Sequence, residues 1–486
     1  MFLILLVAFA TIVLAQLLAQ AFFPASIPLT IRSPYMSIWH DSASGSPSLS
    51  NSWPLFWGRQ YATREFLRLK PHRAVDGQTY IWTGVDRPSV GALSANITTV
   101  RITPTRTIFV VQAGPMNVTV TYLSPIEPSD WVVQSFPFSY VLVETTSMDG
   151  HAHEVQVYSE ISGGWLSGDQ DSTIQWIEYA TANTVIHNVQ LQSPQKYVEI
   201  NQQVQDGQAY FAMTSRPGLT WQIARDITCR GLFHDTGALN GSRSLAFRKI
   251  DLDVPVFAIA VDLGKIQSIS TPVTWAVGYV RNPSIGYTAP VGTTQDLMPY
   301  YTTRYPGVNI SIEDFISSFP DIQRKAIALD NAIAGDALKI SPRYADLVSL
   351  AARQTLGSLD ITVSTGTDGK PNSSDVRIFM KDVGMGRRVN PVEKIYAALP
   401  MLLYLNASLI GPLLSPLLDA QDASMEELYA AQDIGLAYPN ATGTRGGHNK
   451  GVEQTGNMLI MIYAHARFSG DGRRDFSWRG CNQTRI

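Results

Sequence analysis

Three carboxylates stand out in the second half of this 486-residue sequence: Asp382 in "FMKDVGMGRRVNP", Asp433 in "YAAQDIGLAYPNATG" and Glu453 in "EQTGNMLIM". Each lies in or beside a polar segment that joins apolar stretches, and loops on a rigid scaffold are where sites are usually built. Two carboxylates serve as general acid and general base when their surroundings hold their pKa values apart. Glu453, at the head of an apolar helix, suits the acid with a raised pKa. Asp433, in a Gly-flanked polar turn, suits the ionised partner. Such a pair fits glycoside hydrolysis, and with a water it also fits amide cleavage. Asn457, one helical turn after Glu453, together with Asn390 and Tyr438, are polar groups available to hold a substrate. The structural alternatives are a first-turn carboxylate facing the helix dipole at Glu453, worth ~0.3–1 kcal/mol, and an Asx-turn at Asp433. Arg387, Arg388 and Arg445 are either bidentate clamps for a substrate carboxylate or ordinary surface arginines. Serine nucleophile elbows, His-Glu-x-x-His, P-loops and dinucleotide fingerprints are absent from the sequence.

The elements that must position these groups change period along the chain. From Arg32 to about Tyr300 the sequence reads as strands and turns. "NVTVTYL", "YVLVETT", "HEVQVYSEI", "PVFAIAVDL" and "TPVTWAVGYV" are separated by "MDG", "SGG" and "QDG". No long helical period interrupts them, which predicts an antiparallel β-sandwich of two many-stranded sheets. A Pro-, Gly- and Thr-rich linker, "NPSIGYTAPVGTTQDLMPYYTTRYPG", follows. Helical period then begins. Ser311 with Asp314 predicts a capping box, and Ser341-Pro342 an N-cap with proline in the first turn. Tyr344, Leu347, Val348, Ala351, Ala352, Leu356 and Leu359 form that helix's apolar stripe. Asn390-Pro391 with Glu393 opens a third helix, kinked at Pro400. "SLIGPLLSPLLDAQ" is a broken fourth, and Val452 to Arg467 a fifth, apolar on nearly every side and therefore expected inside.

Charged residues make up 16% and the formal charge is −3. No Lys/Arg block marks a nucleic-acid partner. The first 21 residues carry no charge, and Phe2 to Leu18 is apolar with Ala19-x-Ala21 after it. This predicts a signal peptide over 1–21, cleaved after Ala21, with a secreted product and no membrane partner thereafter; the rival reading is an uncleaved anchor, since this run of 17 residues nearly suffices to span a bilayer. No later run reads as long and apolar enough to span a bilayer. Sequons at Asn96, Asn117, Asn240, Asn309, Asn372, Asn406, Asn440 and Asn482 agree with export. Two cysteines, Cys229 and Cys481, exclude a disulfide scaffold. His151-x-His153 reads as a turn rather than a metal site, and no metal or other cofactor is expected. The oligomeric state is not legible.

Several blocks carry a resemblance. "IRSPYMSIWHDSA", "SNSWPLFWGR", "VDGQTYIWTG", "VQVYSEISGGW", "SLDITV", "FMKDVGMGRRVNPVEKIYAALPMLLYLN", "YAAQDIGLAYPNATG" and "EQTGNMLIMIYAHARFSGDG" occur in order between about Ile31 and Gly472. Together they resemble the secreted fungal glutaminase A family. The resemblance implies a β-sandwich over 22–304 and, over 305–472, part of a helical barrel like the six-hairpin glycosidases. It also implies a small-molecule substrate, L-glutamine, hydrolysed to glutamate and ammonia; a sugar is the alternative that the fold kinship suggests. "RRDFSWRGCNQTRI" after Gly472 resembles nothing in the family. The expectation is therefore a C-terminally truncated member, with an incomplete α/α six-hairpin-type barrel, exposed apolar helix surface and a divergent tail over 473–486. A non-catalytic remnant or binding module is the third reading.

Overall fold

The computed structural model describes residues 20–21, 23–41, 52–56, 59–60, 63–70, 77–86, 90–290, 292–382, 386–423, 428–443 and 446–471. Most of the leader, Arg445, Cys481, Asn482 and the tail lie outside these residues.

The β half is a sandwich. A nine-stranded antiparallel sheet runs from Asn96–Ile102 through Arg106–Ala113, Met116–Leu123, Phe138–Ser147, Val273–Val280, Gln208–Thr214, Thr184–Leu191 and Thr173–Ala180 to Arg248–Lys249. A six-stranded sheet runs from Leu219–Arg225 through Pro255–Ile266, His153–Ser162, Thr63–Lys70 and Gln78–Thr83 to Leu93–Ser94. Val118, Val120, Phe109, Val143 and Trp275 of the first sheet share one core with Val155, Val157, Phe257, Ile259 and Trp82 of the second. The alternation of "MNVTVTYL" faces that core.

The other face of the nine-stranded sheet is covered too. Phe138, Tyr140, Leu142 and Ile186 pack on Ile312, Phe315, Ile316 and Phe319. These belong to helices α2 (Val308–Ser317) and α3 (Phe319–Leu338). Tyr140 stacks on Phe315 at 4.0 Å and 6°. A sheet covered on both sides needs near-continuous apolar strands, which is why "YVLVETT" lacks clean alternation. Helix α1 (Asp226–Thr236) is an exception to the all-strand expectation for this half. It covers the outside of the six-stranded sheet with buried Cys229 and Phe233, and it ends at Gly237 with φ 76°.

The remaining helices are α4 (Pro342–Gly357), α5 (Val392–Asn406), α6 (Ile410–Ala423) and α7 (Gly451–Ser469). Ser341 caps α4 as expected, its hydroxyl accepting from the Tyr344 amide at 3.1 Å. Its stripe is corrected: Tyr344 and Leu347 are exposed and Leu359 begins a strand. Ser311 is not a cap, because α2 starts at Val308 and the Ser311 hydroxyl donates back to the Val308 carbonyl at 2.7 Å. Glu393 closes no cap; it pairs with Arg388. Val392–Gln421 is long and apolar enough, by length and composition, to cross a membrane, contrary to the sequence reading. In the fold its Ile395, Leu402, Leu413 and Leu417 are buried in the core. α7 buries one face, with Met458, Met461 and Ile462, and exposes Val452, Leu459, Ile460 and Tyr463. The expectation of a helix buried all round is therefore corrected.

The supposed linker is not a linker. Ile285–Thr288 and Thr294–Pro299 are the middle of a five-stranded mixed sheet. The hairpin Leu359–Thr365 and Pro371–Met380 flanks them on one side, and Asn440–Ala441 pairs in parallel on the other. This seam sheet stitches the two halves together. The two strands within the linker are short, IGYT and TQDLMP, and sit among Pro and Gly, so their local composition matches a loop.

His187 is buried between the two sheets, against the Trp221 and Phe257 rings, with one weak bond to the Ala258 carbonyl at 3.3 Å. Burial pushes its pKa down to about 4, the carbonyl bond opposing. The unfolded imidazole titrates near ~6.5. Because the folded value is the lower, stability is full above pH 6.5 and is lost as the pH falls towards 4. The loss is on the order of 3 kcal/mol from this residue. His187→Phe is expected to flatten that part of the melting temperature against pH curve; an unchanged slope would refute the assignment.

Candidate functional site

At the seam, charged side chains from both halves meet, most of them shielded from water and Arg387 partly exposed. The sandwich supplies Glu199 and Asp206 from a tight hairpin, Glu199–Ile200 with Gln203–Val204. The two residues at its tip, Asn201 and Gln202, have φ of 48° and 68°. That left-handed pair is the primed turn a two-residue hairpin requires. Arg281 follows the strand Val273–Val280, and Tyr35 sits in the turn between Ser26–Ser33 and Met36–Asp41. The seam sheet supplies Asp360 from Leu359–Thr365 and Lys381 just after Pro371–Met380, and the following loops supply Arg387 and Tyr438.

The geometry is one connected network. Arg281 grips Asp206 with Nε–Oδ1 at 2.8 Å and Nη2–Oδ2 at 3.4 Å. Its Nη1 stands 3.9 Å from Asp360 Oδ2. Glu199 accepts from the Tyr35 hydroxyl at 2.7 Å and pairs with Lys381 Nζ at 3.4 Å and Arg387 Nε at 3.3 Å. The Tyr35 ring lies between two cations, with Arg281 at 5.1 Å and Lys381 at 5.5 Å from its centroid. The Tyr438 hydroxyl donates to Asp360 Oδ2, and its ring is 5.9 Å from that of Tyr35. Three cations thus face three carboxylates, and the Glu199, Lys381 and Arg281 side chains are 3%, 3% and 5% exposed. Burial raises the pKa of Asp360, against the pull of Arg281 and the Tyr438 hydroxyl. Burial also lowers that of Lys381, with Glu199 opposing. A carboxyl and an amine both pushed towards neutrality are equipped to exchange protons. Asp360, Arg281 and Tyr35 line a cavity of about 30 Å3.

The residues singled out in the sequence fall into different places. Tyr438 belongs to this network. Asp433 is fully buried at the other side of the loop carrying Arg387 and Arg388. Its Oδ2 meets Arg388 Nε at 2.8 Å and its Oδ1 accepts from the Gly435 amide at 3.1 Å. Arg388 also pairs with Glu393, which His448 Nε2 approaches at 3.4 Å. His448 Nδ1 accepts from the Lys450 amide, so its proton sits on Nε2 and points at Glu393. Asp382 is partly buried, 3.7 Å from Lys394. Asn390 has φ 48° and no exposure, and its amide is spent on the backbone of Met380, Ile378 and Leu413. It therefore pins α6 to the seam sheet and has no bond left for a substrate. Glu453 is an exposed first-turn carboxylate bonded to Gln454, and Asn457 bonds the same glutamine. Among the described residues no hydrogen bond joins Glu453 to Asp433.

Sequence reasoning missed Asp360, Lys381, Glu199, Asp206 and Arg281. A charge inside an apolar strand, as in "SLDITV" and "IFMK", was the available signal. Asn96 and Asn240 are exposed, whereas Asn117, Asn309, Asn372, Asn406 and Asn440 are half-buried. The Asn406 amide already donates to the Pro128 carbonyl at 2.7 Å. His153 is closed onto Asp149 at 3.0 Å, as a turn should be.

Fold and seam together define a two-domain protein, an antiparallel sandwich stitched to a helical-hairpin domain around an enclosed acid–base cluster. Residues 105–336 match a domain of unknown function, DUF5127, and residues 341–477 match the glutaminase A six helical-hairpin domain. The chain is 33% identical to glutaminase A of Aspergillus oryzae over 92% of its own length and 64% of the relative's. It is 26% identical to a probable glutaminase of Arthroderma benhamiae over 95% of its own length and 55% of the relative's. The chain belongs to the glutaminase A family. It spans less than two thirds of the length of these relatives.

The network predicts a measurable coupling. Glu199→Gln leaves the buried Lys381 without its counter-charge and is expected to cost about 3–5 kcal/mol. Adding Lys381→Met should recover part of that loss. Additive effects in urea melts of the two single variants and the double variant would show that the ion pair is not coupled.

Proposed function

We propose that this chain is a hydrolase in which water attacks the side-chain amide carbon of L-glutamine, the C–N bond breaks to give glutamate and ammonia, and Asp360 gives a proton to the departing nitrogen and regains one from the attacking water. The names of the two relatives supply the substrate class. The single observation that carries the role of Asp360 is its place on the cavity, partly buried with 18% of its side chain exposed, where desolvation outweighs the pull of Arg281 and holds the carboxyl above its ordinary range. A carboxyl protonated closer to neutrality delivers its proton to an amine that is otherwise too basic to leave. Arg281 balances the charge once that proton has gone. The glycosidase reading draws less support, since Glu453 is exposed and Asp433 is held by Arg388.

Asp360→Asn keeps a polar group beside Tyr438 and should lower ammonia release from glutamine by about 10²–10⁴-fold in kcat. Tyr438→Phe removes a bond that favours ionised Asp360, so the alkaline limb of kcat should move to higher pH. Full turnover by Asp360→Asn would end this assignment.

We also propose export, supported by the charge-free leader and by exposed sequons at Asn96 and Asn240. Mass spectrometry of culture medium should find an N-terminus at Phe22 and glycans at those two asparagines; retention of the leader inside the cell would exclude it.

A further inference from the structure

The seam cavity contains donors that the protein itself does not use. Arg281 Nη1 and the Tyr301 hydroxyl are both buried without a hydrogen-bond partner. Both residues line the same cavity of about 30 Å3 as Asp360. A buried donor left unpaired costs ~1–3 kcal/mol, and two around one small cavity mark a place where a ligand supplies the acceptor. Arg32 also lines the cavity, but it is not available. Its guanidinium is spent on the carbonyls of Pro125, Val133, Gln134 and Phe136. Asp360 is different again, because its hydrogen bond to Tyr438 uses Oδ2 alone.

Building on the reading above, we propose that this cavity is the subsite for the substrate's primary carboxamide. The carbonyl oxygen takes the Arg281 Nη1 and Tyr301 donors, and the amide nitrogen faces Asp360. A primary amide carries one strong acceptor and two N–H donors, which is the complement of two unpaired donors beside a carboxyl. The volume agrees, since one water-sized group needs roughly 10–15 Å3 and the amide end has two such polar atoms. Polarisation of the carbonyl by the same two donors would also favour attack on its carbon. The arrangement distinguishes substrate from product. A carboxylate in the amide's place has no N–H for the acceptor oxygen of Asp360, and wherever Asp360 is ionised it adds repulsion. Sites built to satisfy a polar group reject analogues that leave their own groups unpaired.

The test uses the full chain and two isosteric probes, propionamide and propionate, with binding read by isothermal titration calorimetry at pH 7. Propionamide should bind and propionate should bind at least tenfold more weakly. Tyr301→Phe removes only the unpaired hydroxyl, so its melting temperature should equal or exceed that of the parent. Its affinity for propionamide should fall about tenfold, the worth of one hydrogen bond. Equal propionamide affinity in the two proteins overturns the subsite, as does propionate binding as tightly as propionamide, or no propionamide binding at all. Glutamine turnover separates this from the functional reading. Tyr301-dependent propionamide binding without ammonia release upholds the subsite and rejects the glutaminase. Ammonia release with an unchanged KM in Tyr301→Phe does the reverse.

Discussion

Charge compensation at the seam is the constraint on which the rest of the molecule depends. A single buried ion costs several kcal/mol after relaxation, so none of Glu199, Lys381 or Arg281 could occupy its position alone. They persist because each is set against an opposite charge from a different segment. Glu199 comes from the sandwich and Lys381 from the seam sheet, so their attraction is also a contact between the two halves. Tyr35 serves both sides, with its hydroxyl on Glu199 and its face between Arg281 and Lys381. The hairpin turn at Asn201 and Gln202 presents Glu199, and the turn of the N-terminal hairpin brings Tyr35 to the Tyr438 carbonyl.

Arg387 and Arg388 show how one loop links two polar regions. Consecutive residues of an extended segment point to opposite sides. Arg387 reaches Glu199 and the Tyr438 carbonyl in the seam, while Arg388 reaches Asp433 and Glu393 at the heads of the helices. The helix-side cluster behaves as a brace: Asp433 and Glu393, both paired with Arg388, anchor the loop that presents Arg387. The seam has Asp360, Arg281 Nη1 and Tyr301 with bonding capacity in reserve. Spare capacity inside a cavity, rather than charge density alone, separates a site from a brace.

Much of the architecture was legible beforehand. The change of period near residue 309, the cap at Ser341 and the helix after Pro391 all come from local signals, because caps and periodicity act over one or two turns. The misreadings share a cause. "NPSIGYTAPVGTTQDLMP" is Pro-, Gly- and Thr-rich, yet two of its segments are central strands because the hairpin Leu359–Met380 and Asn440–Ala441 pair on either side. α7 looks apolar all round, but which of its faces is buried depends on where α5 and the turn Ala407–Leu409 lie. Asn390 looked like a ligand group; its left-handed backbone and three backbone bonds exist only once Ile378, Met380 and Leu413 are brought around it.

The β-then-α division, the start of α4 at Ser341 and the family blocks were determined by the sequence itself, since each rests on residues close together along the chain. The acid–base cluster was decided by the tertiary structure. Tyr35, Glu199, Arg281, Asp360 and Tyr438 are spread over some four hundred positions, and each alone has the sequence context of a strand end or a turn. Proton affinity and ion pairing depend on distance and on exclusion of water, quantities that exist only when the sandwich and the helical half close on one another.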